Sequence, residues 1–267
     1  MSHLNSSILE LWHARHFIRN SIRNEFIARV VRSRLGLLWI VIYPLAQVVI
    51  YAFVLSVILA AKLPGLNSTY AYPIYLTAGI LAWSLFSEIL GRCISVFIEN
   101  GNLLKKMVFP RLALPTIVCG SALLNNLVLL ASVLLIFSLL DHAPSFQLLW
   151  LPVLFLLVIG LALGLGLALG LFNVFFRDIG QVATIVLQFG FWLTPIVYHI
   201  DLLSEHYRDY LYLNPMTGIV QAYQSVLVYG RAPDLGLLLY PAIFAAVALL
   251  FAALLYRRAI DEVVDVL

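Results

Sequence analysis

The residues best suited to ligate a metal or move a proton are His199-Ile-Asp201 and Glu205-His206. Imidazoles and carboxylates are the common zinc ligands and the common general acids and bases. At helical spacing His199 and His206 would share one face. The same residues also make an ordinary polar turn at a membrane surface, and spacing alone does not choose between the two. Cys93 and Cys119 have no CxxC or other ligand spacing and read as small apolar packing residues. Glu88 and Arg92 stand four apart inside an otherwise apolar run, the spacing of a helical ion pair. Charges within a membrane segment mark either a functional site or a structural pair near the headgroups.

Several chemistries are missing from the sequence. No G-x-x-x-x-G-K-[ST], H-E-x-x-H or G-x-S-x-G occurs, and none of the three lysines, Lys62, Lys105 and Lys106, follows a glycine. The chain therefore has no phosphate loop of its own. Two basic segments remain. In the first, Arg15, Arg19 and Arg23 recur every four residues among Trp12, Phe17, Ile18, Ile22, Phe26 and Ile27, with Glu25 as the acid. That pattern reads as a helix lying at the membrane interface, or as a basic segment held by anionic lipid. Arginines beside lipid already have an anionic partner, which argues against nucleic acid. In the second, Asn102, Leu103, Lys105, Lys106, Phe109, Pro110 and Arg111 form a short amphipathic loop. Apolar side chains outside the membrane need a partner or the lipid surface, so this loop is a candidate docking knob. Arg177 and Asp178 add a small charged turn on the same side.

The elements that position these residues follow from composition. Hydrophobic residues make up 63% of the 267 and charged residues 11%, against roughly a quarter charged in a soluble domain. The charges lie between apolar runs long enough to cross a bilayer, for which about 20 residues suffice. Six spans are expected, over about 35–61, 72–97, 112–140, 146–172, 179–198 and 235–256, preceded by a polar segment, 1–34. With six spans, 13 of the 16 Lys and Arg fall on one side, which must be the cytoplasm. The opposite side has Lys62, Arg208 and Arg231 against Asp141, Asp201, Glu205, Asp209 and Asp234. A seventh apolar stretch, 210–230, would break that parity if it crossed. Pro195 and Asn214-Pro215 instead predict two short helices dipping into the outer leaflet, an outer gate region over about 199–230 that includes Tyr223. The fold class is thus an all-α polytopic membrane protein with an N-terminal interface helix and one membrane domain, 35–267. No cleavable signal peptide is expected, because the first apolar run is too long for one. The small repeat Gly160-Leu-Ala-Leu-Gly164 and Gly166-Leu-Ala-Leu-Gly170 predicts close helix packing, within the chain or between subunits. Tyr43, Tyr51, Trp83, Phe86 and Trp192 lie deeper than an interfacial aromatic belt requires, with Tyr198 at the outer end. Such rings either pack on lipid and core or line a conduit, where they stack on sugar C–H groups.

Six blocks in order resemble the permeases of O-antigen and related polysaccharide ABC transporters, over almost the whole chain. They are Arg34-Leu-Gly-Leu-Leu-Trp39 with Tyr43-Pro44-Leu45; Tyr75-Leu-Thr-Ala-Gly79; Leu104-Lys-Lys-Met-Val-Phe-Pro-Arg111; Asn173-Val-Phe-Phe-Arg-Asp178; Thr194-Pro-Ile-Val-Tyr198; and Asn214-Pro215. Tyr43 departs from the family's usual Asn before Pro-Leu. The resemblance implies a bacterial inner-membrane half-transporter, not an enzyme, that dimerises and pairs with two copies of a cytoplasmic ATPase carrying ATP and Mg. It also implies an interface helix at about 9–31, a coupling helix at about 100–111 that meets the ATPase, and gate helices at about 199–230. The cargo implied is undecaprenyl-linked polysaccharide, or teichoic acid in relatives. The rival readings are an exporter of capsule, drug or lipid, a membrane-embedded enzyme at the His199–His206 group, and a scaffold without a motor.

Overall fold

The computed structural model describes residues 12–31, 38–53, 71–106, 110–139 and 145–266. These residues are helical, with turns and no strand among them. The α-helices are α1 (Arg15–Val31), α2 (Leu38–Ala52), α3 (Ala71–Glu99), α4 (Gly101–Lys106), α5 (Ala113–Leu139), α6 (Leu151–Phe175), α7 (Asp178–Leu193), α8 (Glu205–Tyr212), α9 (Pro215–Leu227) and α10 (Leu235–Val266). Short 3-10 helices cover Phe146–Trp150 and Ile200–Leu202. Among the described residues, four helices are long and apolar enough to cross a membrane: Ala71–Glu99, Ala113–Ser138, Phe146–Phe175 and Leu235–Ile260. The rest of the first expected span, 54–61, lies outside the described residues.

α6 is the spine. It is apolar on every face and packs most extensively on α10 and α3. Between lipid-soluble helices no hydrophobic force drives association, so close backbone approach must supply the attraction. The glycine repeat does this on two faces. A Cβ at Gly164 would lie 2.7 Å from the Leu249 amide nitrogen of α10, and one at Gly166 would lie 2.7 Å from Cys93 Cβ of α3. Gly170 meets the Cys93 carbonyl as closely. The repeat therefore packs the chain against itself, one of its two expected uses. α3 is the most enclosed of the four long helices, with Leu76, Leu81, Leu85, Ile89, Cys93 and Phe97 fully buried at helical spacing.

α7 corrects the length expected of the fifth span. Its 16 residues reach about 24 Å, short of the roughly 30 Å hydrocarbon core. The cause is Pro195, which pushes the residue before it out of the helical region. Thr194 accordingly sits extended, at φ −102° and ψ 138°. Beyond it the chain turns through Ile200–Leu202 into α8. Asn214 ends that helix and caps the next, its side chain accepting from the Met216 amide at 3.0 Å, with Pro215 in the first turn of α9. α9 then packs on α3 and α10. It comes closest at Gly218, where a Cβ would lie 2.6 Å from the Leu237 carbonyl. Pro241, four residues on, offers that carbonyl no N–H.

Candidate functional site

α2, α3 and α7 surround a cavity of about 650 Å³. Tyr43 comes from α2, Trp83, Ser84 and Ser87 from α3, and Thr184, Gln188, Phe191 and Trp192 from α7. The rings form a connected set. Trp83 lies 5.5 Å from Phe86 and 6.0 Å from Phe191, centroid to centroid, and Phe191 meets Trp192 edge-on at 5.6 Å. Gly190 makes room for Trp83, since a Cβ there would stand 3.0 Å from the indole Cη2. The polar groups in the wall are neutral. Ser84 donates to the Leu81 carbonyl at 3.0 Å and accepts from Asn126 Nδ2 at 3.1 Å. Thr184 donates to the Gly180 carbonyl at 3.0 Å. Gln188 is exposed to the cavity and makes no hydrogen bond among the described residues. No charged side chain appears in the described lining. Such a wall offers ring faces to C–H groups and hydroxyl and amide groups to hydroxyls, without a strong anchor for any one of them.

Of the aromatics expected to line a conduit, Tyr43, Trp83 and Trp192 line this cavity. Phe86 is buried behind Trp83, and Tyr198 lies in the turn after α7. The Tyr51 side chain lies outside the described residues. Sequence reasoning missed Ser84, Ser87, Thr184 and Gln188. The available signal was their repeat at i, i+3 or i+4 within apolar helices, which puts each pair on one face.

At one end of the bundle, buried side chains hold the backbone after α7. Tyr72 donates to the Val197 carbonyl at 2.5 Å and Tyr75 to the Tyr198 carbonyl at 3.1 Å. Gln224 of α9 donates to the Pro195 carbonyl at 3.0 Å, and Asn214 to Thr194 Oγ1 at 2.9 Å. Gly79 lets this turn approach α3, as a Cβ there would be 3.0 Å from Ile196. Pro195, Asn214 and Pro215 are thus joined in one assembly. Tyr223 sits deeper, fully buried against Phe155 at 6.1 Å. The histidine group does not come together as a helical face, because a 3-10 helix and Ser204 separate its halves. His199 packs on Tyr75 and accepts from the Asp201 amide, while His206 packs on Tyr207 and Tyr210. Asp201 Oδ2 also lies 3.3 Å from His199 Nδ1, and its Oδ1 pairs with Arg208 at 3.1 Å. No group of three or more His, Cys, Asp or Glu able to hold a metal occurs among the described residues.

At the opposite end, Arg92 joins three helices. It pairs with Glu25 of α1 at 2.6 Å, donates to Ser121 of α5 at 2.7 Å, and lies 3.6 Å from Glu88. Asn125 of α5 donates to Glu88 at 2.9 Å. The turn carrying Arg177 and Asp178 is held by Asn173, which donates to the Ile94 carbonyl at 3.0 Å and accepts from the Gly180 amide at 3.0 Å. Arg177 and Asp178 themselves are exposed. In α4, Asn102 and Lys105 face outward while Leu103 and Leu104 turn in. Pro110 is half-buried, and Arg111 donates to the Ile260 carbonyl of α10 at 3.3 Å. Phe109 and the Lys106 side chain lie outside the described residues. Arg15, Arg19 and Arg23 all project from the exposed side of α1.

The sequence is similar to those of known transport proteins. The chain is 26% identical to the O-antigen export system permease protein RfbA of Myxococcus xanthus over 257 residues, covering 96% of each chain. It is 25% identical to the RfbA permease of Klebsiella pneumoniae over 206 residues, 76% of each. The polysialic acid transport protein KpsM of Escherichia coli is 25% identical over 237 residues, 87% of this chain and 89% of that one. The family model described as ABC-2 type transporter matches residues 17–228, from α1 through the end of α9. That match covers more than half of the chain, which therefore belongs to the ABC-2 type transporter family as its membrane subunit, a transport component of the kind that pairs with an ABC ATPase.

Proposed function

We propose that the chain exports a lipid-linked polysaccharide of the O-antigen kind across the bacterial inner membrane, as a homodimer served by two ATPase subunits. The observation that carries this reading is the cavity walled by Tyr43, Trp83 and Trp192 with Ser84, Thr184 and Gln188 between them. A glycan presents C–H faces and hydroxyls in alternation, and this wall offers a match for both. A drug site would be a closed apolar pocket. The names of the relatives, which transport O-antigen or polysialic acid, point the same way. The bias of Lys and Arg supports six spans with both termini in the cytoplasm. In that arrangement α1 lies at the cytoplasmic surface, α4 and the loop to Arg111 meet the ATPase, and α8 and α9 dip back from the outside as the gate.

Trp83→Ala combined with Trp192→Ala should lower surface glycan about tenfold or more, since each lost stacking contact is worth roughly 0.5–1.5 kcal/mol. The measurement is a glycan immunoblot on whole cells beside a membrane-insertion control. Normal export by an inserted double variant would sink the reading.

A further inference from the structure

We propose that the groove between α1 and α5 binds one anionic phospholipid, its phosphate on Arg19 and Arg23 and an acyl chain running along α5 between Thr116 and Leu124. The groove has a volume of about 580 Å³, with Ile18, Ile22 and Phe26 on the α1 wall and the two α5 residues opposite. Arginines line one rim of it. This is the division of a phospholipid, an apolar chain beneath a single anionic group.

Charge points to the occupant. The one carboxylate of α1, Glu25, is engaged by Arg92 at 2.6 Å and so does not neutralise the arginine row. Arg15 has local partners, donating to the Trp12 carbonyl at 3.0 Å and standing 5.1 Å from its ring. Arg19 and Arg23 are exposed and make no hydrogen bond or ion pair among the described residues. Guanidinium groups match phosphate oxygens in pairs of hydrogen bonds. The depth is also right. Ile22 nests on Gly120, about 10 Å along α5 from its start at Ala113. That holds α1 near headgroup level, with the apolar groove extending toward the hydrocarbon. The inference rests on the proposed placement of α1 at a membrane surface and on no assumption about the cargo. It differs from diffuse attraction of a basic helix to an acidic membrane, because it requires the groove as well as the charges.

The test uses the full chain with its ATPase partner, in phosphatidylcholine vesicles containing a trace of phosphatidylglycerol with a photoreactive acyl chain. Adducts mapped by mass spectrometry should concentrate on residues 12–26 and 116–124. Arg19→Gln with Arg23→Gln should reduce them about tenfold. Thr116→Trp, which fills the groove and leaves every charge in place, should reduce them as much. Thr116→Ser should retain them and controls for folding. Equal labelling by a phosphatidylcholine analogue, or adducts indifferent to both the charge and the groove variants, would overturn the proposal. So would displacement of the label by a polyprenyl diphosphate in preference to phosphatidylglycerol. Labelling confined to lipid loaded in the outer leaflet would leave the groove site standing and would instead reject the cytoplasmic placement of α1.

Discussion

Arg92 is the residue through which α1, α3 and α5 are joined. Its bonds to Glu25 and Ser121, at 2.6 and 2.7 Å, are tighter than its approach to Glu88 at 3.6 Å. The i,i+4 pairing of Glu88 and Arg92 was legible in the sequence, because helical periodicity reports local neighbours. The stronger partner, Glu25, was not, because nothing in a periodic pattern encodes which distant helix lies alongside. Arg92→Gln leaves two half-buried carboxylates facing a neutral amide, and should cost about 1.5–3 kcal/mol. The expected signs are a lower thermal unfolding midpoint and faster trypsin cleavage within α1; unchanged cleavage there would refute the tether. The glycines of α6 make a sharper comparison. Gly160 has only ordinary contact ahead of a Cβ, 3.5 Å to Leu249, whereas Gly170 meets the Cys93 backbone. Gly160→Ala should leave stability unchanged, while Gly170→Ala should lower it by about 1–3 kcal/mol through overpacking. A denaturant titration in detergent separates the two.

At the level of elements, punctuation was the most readable part of the sequence. Pro195 and Asn214-Pro215 marked where helices must stop, and α7, α8 and α9 break there because proline restricts its predecessor and lacks an N–H. The length of α7 was misjudged, since an apolar run registers hydrophobicity and says nothing about backbone geometry past Leu193. The polar wall of the cavity was only half readable, because spacing pairs Ser84 with Ser87 and Thr184 with Gln188 on one face each but does not say what that face meets. Isolated Ser, Thr and Gln in a span look alike whether they face a helix, lipid or a cavity, and only the packing of α2, α3 and α7 decides. Asn214 both caps α9 and bonds Thr194 at 2.9 Å, so it ties the start of one helix to the end of another. Asn214→Ala should destabilise this region by about 1 kcal/mol. Hydrogen exchange should rise at the first amides of α9 and at residues 194–198 together; a rise at α9 alone would mean that the bond to Thr194 contributes nothing.

Across the whole molecule, the faces left open tell where lipid and partners belong. α10 exposes Leu239, Ile243, Val247, Leu250 and Leu254 along one side, as a helix in lipid does. α7 exposes Val182, Ile185, Val186 and Phe189 next to the cavity it helps to line, and the proposed second copy would close the conduit over this face. A cysteine at Val186 should then cross-link two subunits in native membranes, whereas one at Val247 should not; the reverse result would place the dimer contact elsewhere. The turn after α7 carries a last implication. Tyr72, Tyr75 and Gln224 all grip carbonyl oxygens of residues 195, 197 and 198 rather than their side chains. Every amino acid supplies a carbonyl, so replacement of Val197 or Tyr198 deletes no acceptor. Val197 is buried, so packing limits what can replace it, whereas descendants of this chain can vary the half-exposed Tyr198 by point mutation and still keep the acceptors that hold the turn in place.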